Sequence, residues 1–207
     1  MSSSISRGDV LPRSFYDRSA LDVAPDLLNK LFVVGRCGGR IVEVEAYTQD
    51  DPASHSFKGP SLRTRSMFGP PGHLYVYFTY GMHFCANAVT GPVGDGEAVL
   101  IRAIEPVWGV DEMQVRRGDQ VRRDIDLANG PGKLTRAMGI GRDNDGDDLL
   151  TSRIRILDDG VPPPLFPDQS PRIGVSEGID LRRRYFVGGN PCVSRPPRPG
   201  SIDPTNQ

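Results

Sequence analysis

Lysine is scarce in this chain of 207 residues: of 25 basic side chains only Lys30, Lys58 and Lys133 are lysines, which leaves 22 arginines. A covalent mechanism through an amine therefore has three candidates. Cysteine is equally scarce. Cys37, Cys85 and Cys192 are odd in number, far apart and form no CxxC, which argues against a disulfide framework and a structural zinc site. Net charge is almost nil, −1 with a pI of about 6.3, so composition does not announce a strongly basic nucleic-acid binder, although a local basic face is compatible with it. No run of some 18 apolar residues exists to span a membrane, and Met1–Gly8 lacks the apolar stretch of a signal peptide. A soluble cytoplasmic protein is expected. His55, His73 and His83 have no HExxH-type spacing, so metal catalysis has no support. Asp143–Asp148 fails the calcium-loop pattern and reads as an acidic surface turn.

What is present is glycine (24) and proline (19), enough to favour turns and short elements over long helices. The chain reads as a flexible arm over residues 1–12, one domain over 13–195 and a flexible Pro/Arg/Gly tail over 196–207. Asp22 is placed to cap a helix over Val23–Asn29, with Pro25 in its first turn. Leu31–Val34 and Arg40–Tyr47 read as paired strands. In the second, Val42, Val44 and Ala46 alternate onto one face, and Ile41, Glu43, Glu45 and Tyr47 onto the other. From Ser66 to Gly94 there is no Asp, Glu, Lys or Arg. Pro70, Pro71, Gly72 and a period of two make this a strand pair rather than a membrane segment: His73–Thr79 and His83–Val89, around a hairpin tip at Tyr80–Met82. Glu97–Glu105 is a third strand. Val110–Arg117 and Lys133–Met138 are short helices, and Arg153–Leu157, Arg172–Ser176 and Arg184–Val187 further strands. This order predicts a single α+β domain, a mixed α/β fold with a largely antiparallel sheet and a few short helices.

Several residues stand out as chemistry. Glu43 and Glu45, two apart on one strand, have the spacing of an acid–base pair, but the pattern alone favours a solvated polar face. Tyr47 next on that face, and His55 in the loop beyond, resemble a pocket wall. Tyr80 at a hairpin tip is poorly explained by core packing and suits a wedge or a stacking platform. Arg102 interrupts the apolar face of Ala98, Leu100 and Ile104, which fits a structural ion pair and a catalytic role equally. Asn87 alone reads as a structural amide, and Gly130–Lys133 as a bland turn with some capacity to hold a phosphate.

Together these segments resemble the alkyladenine (3-methyladenine) DNA glycosylase family. The resemblance rests on Val44–Tyr47, Asp51–His55, the Arg-x-Arg-x-Met-Phe of Arg63–Phe68, Pro71–Met82 followed by Asn87, Val99–Ala103 and Gly130–Leu134, with Arg172–Gly174 and Gly189–Pro191 extending it. It covers most of residues 13–195 in order. The segment Ile179–Arg184 departs from the family's pattern and leaves the packing of the last strand open.

The resemblance implies a curved antiparallel sheet, no metal and no cofactor, and a monomer whose partner is double-stranded DNA containing damaged purines. It implies catalytic roles for Glu45, which would activate water, and Arg102, which would help hold it. Tyr47, His55, Tyr77 and Asn87 would form the base pocket, with Asn87 crowding the amine of normal guanine. Tyr80 and Met82 would intercalate. Arg63, Arg65 and Lys133 are candidates for the DNA backbone, and Arg116, Arg117, Arg122, Arg123 and Arg182–Arg184 for a wider basic face. No lysine falls in the blocks around Glu45, Tyr80 or Arg102, so a monofunctional enzyme of base excision repair is expected, with Glu43→Gln expected to be mild. Two alternatives stay open: a catalytically inactive damaged-DNA-binding module, and a nucleoside or glycoside hydrolase using Glu43 and Glu45.

Overall fold

A computed structural model of the chain describes residues 8–119 and 121–194. The expected arm falls partly, and the expected tail wholly, outside the described residues; of the arm, Asp9–Val10 forms strand β1. Then follow α1 (Arg13–Tyr16), α2 (Ala20–Leu27), β2 (Leu31–Val34), β3 (Cys37–Tyr47), β4 (Leu74–Thr79), β5 (His83–Thr90), β6 (Glu97–Trp108), α3 (Val110–Arg117), α4 (Pro131–Met138), β7 (Ile154–Asp158), β8 (Asp168–Ser170) and β9 (Arg184–Phe186). The strands lie in the order β1-β7-β2-β3-β6-β5-β4, β9 adds to β3, and β8 pairs β9. All pairings are antiparallel. One α+β domain results, with the helices on one side of the sheet and the main core between them, built from residues such as Val23, Leu27, Val44, Ile101, Leu134 and Met138. Among the described residues no helix is long and apolar enough to cross a membrane.

Five local readings are corrected. The cap of α2 is Ser19, not Asp22: its hydroxyl accepts from Leu21 N at 3.3 Å, and the Glu97 carboxylate from β6 accepts from Ala20 N at 2.7 Å. Pro25 therefore falls in the second turn of the helix rather than the first. Arg172–Ser176 is not a strand; the strand lies earlier, at Asp168–Ser170. The reason is that Ile173 N donates to the Glu45 side chain instead of to a neighbouring strand. The alternation along β3 is also broken. Register shifts between Ile41 and Glu43, and between Glu43 and Val44, mark a bulge. It puts Ile41 in the main core with Val44 and Ala46, while Val42 packs with Ala103 and Cys192. Such bulges bend a strand and re-aim its side chains. The acidic turn is only partly at the surface: Asp145 accepts from Val76 N and from the Ser66 hydroxyl, which fastens it to β4.

Candidate active site

The sheet register assembles the site. Tyr75 on β4 lies opposite Asn87 on β5, Asn87 opposite Leu100 on β6, Leu100 opposite Glu45 on β3, and Glu45 opposite Arg184 on β9. Directly opposed residues share a face, so one row across five strands carries these side chains to the side away from the main core. On β6 that face holds Ala98, Leu100 and Arg102, while Val99, Ile101 and Ile104 turn to the core.

A cleft of about 300 Å³ opens over this row. Its walls include Tyr47, His55, Tyr75, Tyr77, Tyr80 and Asn87, and the loop Gly174–Glu177 closes one side. The His55 ring stands edge-on to Tyr77, with centroids 4.4 Å apart, and its Nδ1 is 3.0 Å from the Tyr75 hydroxyl. One edge of His55 is open to solvent. Desolvation of the packed edge, and then the nearby Arg63 charge, push its pKa below the ordinary value, so the ring is neutral at pH 7. The Asn87 amide donates to the Tyr75 carbonyl at 3.0 Å, which fixes its orientation in the wall. Burial, and then the Glu45 charge, raise the Tyr47 hydroxyl well above its usual pKa, so it stays a donor.

Beneath Tyr47 lies a buried ion cluster. Glu45 is not itself in the cleft wall. Its Oε1 accepts from Ile173 N at 2.9 Å and is paired with Arg102 Nη1 at 3.1 Å, and its Oε2 accepts from the Tyr47 hydroxyl at 2.8 Å. A carboxylate offers about four lone-pair positions. Among the described residues two hydrogen bonds and one ion pair hold Glu45, which is wholly buried and meets the cleft through Tyr47.

Glu43 differs. Arg102 Nε, Arg184 Nε and the Ser194 hydroxyl all donate to its Oε1, at 2.8, 2.7 and 2.7 Å, and Ser194 N donates to Oε2 at 2.6 Å. Three of these donors crowd Oε1 and one reaches Oε2, and none of the residues that supply them lines the cleft. The expectation of a solvated Glu43 is overturned: the residue has no exposed surface. Burial opposes its ionisation, but the Arg102 and Arg184 charges outweigh that and hold its pKa below the usual carboxylate value. Arg102 is likewise buried. Burial disfavours its charge, and Glu45 and Glu43 more than restore it.

Sequence reasoning missed a second buried pair. Arg172 clamps Asp51 with both Nη atoms, donates to the Ala46 carbonyl at 3.2 Å, and lies over the Tyr47 ring, 4.6 Å from its centroid. Both residues fall in the blocks that carry the family resemblance, which is the one signal that could have raised them. The run Arg182–Arg184 does not form a basic face as a unit. Arg183 reaches Thr48 at 2.6 Å and Arg184 is buried on Glu43; of the three only Arg182 is exposed. Those contacts are how the departing segment packs.

Of the remaining candidates only Tyr80 lines the cleft. Tyr80 and Met82 are half exposed at the β4–β5 tip, 52% and 53%. Tyr80 has φ of +51° and Gly81 +67°. Two successive left-handed residues are the signature of the tight hairpin turn whose twist suits antiparallel strands, and a tyrosine there is strained. Arg63 and Arg65 are exposed, with the Arg63 guanidinium 5.9 Å from the Tyr77 ring centroid. Lys133 is exposed on α4, its ammonium 2.8 Å from Asn129 Oδ1. Its neighbour Gly132 packs so closely on His83 that a Cβ would sit 2.8 Å from the ring. No lysine lines the cleft. Among the described residues no group of three or more His, Cys, Asp or Glu side chains is placed to hold a metal ion.

The cleft is thus walled by aromatic rings and underlain by a buried cluster of carboxylates and guanidiniums. Comparison with known proteins gives the family. The family model described as methylpurine-DNA glycosylase matches residues 14–191. A protein of Burkholderia lata is 55% identical over 194 residues, covering 91% of this chain and 93% of the relative. Relatives from Methanoculleus marisnigri and Carboxydothermus hydrogenoformans are 48% and 46% identical, covering 89% and 90% of this chain and 98% and 99% of theirs. All three carry the name "Putative 3-methyladenine DNA glycosylase". This chain belongs to the methylpurine-DNA glycosylase family.

Proposed function

We propose that the chain is a monofunctional DNA glycosylase of base excision repair that rotates alkylated or deaminated purines out of duplex DNA and hydrolyses their N-glycosidic bond. The observation that carries this reading is the hydrogen bond that ties Glu45 to Tyr47 in the aromatic cleft wall, set against a Glu43 whose partners all lie outside that wall. A water bound by Glu45 is oriented by its carboxylate and the Arg102 charge. Its oxygen attacks C1′, its proton passes to Glu45, and the purine departs with the electrons of the broken C–N bond. Buried carboxylates also favour the positive charge that develops on the sugar.

The cleft supplies selection. Tyr47, Tyr77 and His55 stack the extruded base, and electron-poor alkylated purines gain most from aromatic faces. A neutral His55 avoids repelling a cationic base. Asn87 lines the cleft, fixed by its bond to the Tyr75 carbonyl, and its role in this reading is to crowd the exocyclic amine of guanine. Extruding a nucleotide costs a few kcal/mol, and less for a damaged base. Tyr80 and Met82 offset part of that by filling the vacated stack. Arg63, Arg65 and Lys133 are exposed and meet phosphates. With no lysine in the cleft, the product is an intact abasic site.

The two alternatives fare worse. A glycosidase pair needs Glu43 as acid or base, and Glu43 is wholly buried, held by two arginines and Ser194 that all lie outside the cleft wall. An inactive binding module has no use for a carboxylate tied to that wall through Tyr47. The test is a panel of duplexes, each with one 3-methyladenine, 7-methylguanine, hypoxanthine or ethenoadenine, followed for free base and for strand cleavage with and without alkali. Base release with alkali-dependent cleavage is expected. Hydrolysis of free nucleosides with none from duplex DNA would overturn the reading.

A further inference from the structure

Resting on that reading of Glu45, we propose that Glu43 is a positioning residue for the reaction, and that Ser194 closes the clamp that holds it. Arg102 is planar, with donors in a rigid fork. It spends Nε on Glu43 at 2.8 Å and Nη1 on Glu45 at 3.1 Å. Fixing the first bond fixes the plane and limits Glu45 to one bond from this arginine. Released from Glu43, the guanidinium turns to the two-bond pairing that arginine and carboxylate prefer. The second bond then takes the lone pair on Glu45 that the attacking water needs. Glu43 thus serves catalysis by occupying Arg102.

Charge balance points the same way. The cluster holds two carboxylates, Glu43 and Glu45, and two guanidiniums, Arg102 and Arg184, all buried. Removing the Glu43 charge leaves two cations competing for Glu45. Glu43 is itself held from the far end of the domain. Ser194 gives it both a backbone N–H and a hydroxyl, while the Ser194 carbonyl accepts from Arg184 Nη2 at 2.9 Å. Arg184 is steadied in turn by Ser170 on β8, at 2.9 Å. So residues 184–194, which never touch the cleft, set the geometry beneath it.

The test is a double-mutant cycle in the full chain. Wild type, Glu43→Gln, Glu45→Gln and the double variant are compared in single-turnover release of 7-methylguanine, a good leaving group that keeps residual rates measurable. Active sites are normalised by titration with lesion duplex, and the lesion Kd is measured alongside. The sequence alone predicts a mild Glu43→Gln; with Glu43 bonded to Arg102 the variant is instead expected to lower the wild-type rate about 10- to 100-fold, the scale of a misplaced reacting group, with Kd nearly unchanged. In the Glu45→Gln background it is expected to add almost nothing, because the group it positions is gone. The same factor in both backgrounds, or a loss confined to Kd, overturns the proposal. If Glu43→Gln does not fold, Ser194→Ala and Ser194→Thr decide: Ala slows release and Thr, which keeps the hydroxyl, restores it, and equal rates for the two overturn the clamp. Full activity of Glu45→Gln would instead overturn the reading of Glu45 itself.

Discussion

The floor of the cleft and its tip are built on opposite principles. On the floor, Glu43, Glu45, Asp51, Arg102, Arg172 and Arg184 are buried and paired, tied by hydrogen bonds to at least four separate stretches of chain. At the tip, Phe78, Tyr80 and Met82 are exposed, and Tyr80 holds a strained backbone. Ionic floors of this kind add little net stability over an apolar core, yet they are costly to break, because one lost partner strands a buried charge. Tips cost little to change. The floor therefore fixes atoms to within a bond length, and the tip supplies a replaceable surface that meets a deformable partner. Substitutions should separate the two: floor variants lose the chemical step or stability, and tip variants lose base flipping with little loss of stability.

The largest effect belongs to Glu45. Glu45→Gln keeps the size of the side chain and removes the base, so single-turnover excision should fall about 10²- to 10⁴-fold, the usual worth of a general base. Lesion binding, measured by duplex titration, should survive. A variant that releases base at the wild-type rate would move the chemistry elsewhere in the cleft.

The Asp51–Arg172 pair comes next, and it is a stability prediction. Both side chains are wholly buried. Asp51→Asn strands the Arg172 charge and should cost about 3–5 kcal/mol in denaturant unfolding, as breaking a buried pair does. The pH dependence follows from direction. Burial raises the pKa of both Asp51 and Glu43, but their arginine and hydrogen-bond partners outweigh it and leave both below their ordinary values. A depressed carboxylate contributes its stability in full above the unfolded pKa, near pH 4, and loses it as pH falls through the lower folded value. Acid unfolding should therefore set in below about pH 4. Asp51→Asn should flatten that limb. A limb of unchanged steepness would show that other carboxylates carry it.

Asn87 lies between floor and tip, in the wall. Asn87→Ser shortens the group proposed to meet the guanine amine. Excision of normal guanine relative to hypoxanthine should rise by about 1–3 kcal/mol of lost discrimination. An unchanged ratio in a folded variant would return Asn87 to a purely structural amide on the Tyr75 carbonyl.

Much of the tip was legible in the sequence, and little of the floor. The hairpin showed itself because Leu74, Val76 and Phe78 alternate with Tyr75, Tyr77 and Thr79 up to a glycine, and local periodicity is what a sequence displays. Glu45 and Arg102 were reached only through the family blocks. Glu43 was misjudged because alternation on β3 looks the same whether the polar face meets water or arginines brought from 59 and 141 residues away. Nothing local marks Ser194 as a partner of Glu43. Bulges have the same effect: one extra residue at Val42 exchanges Ile41 and Val42 between faces, and Gly38 and Gly39 upstream read only as a turn.

The smallest expected stability effect is at Tyr80, where backbone and side chain can be tested apart. Tyr80 is 52% exposed, so truncation removes little buried area. Its φ of +51° is a conformation glycine adopts without penalty and alanine does not. Tyr80→Gly should therefore unfold at or above the wild-type midpoint, and Tyr80→Ala about 1 kcal/mol less stably than Tyr80→Gly. Both variants lack the ring, so both should lower the flipped fraction of a fluorescent base equally, most for well-paired lesions and least in weakly paired contexts, where extrusion already costs less. Equal loss of flipping with opposite shifts in stability would assign the wedge to the aromatic ring and the strain to its mounting. A fall of roughly 3–5 kcal/mol in both would mean that the ring is core, and recovery of flipping in the glycine variant would mean that the turn, not the tyrosine, opens the duplex.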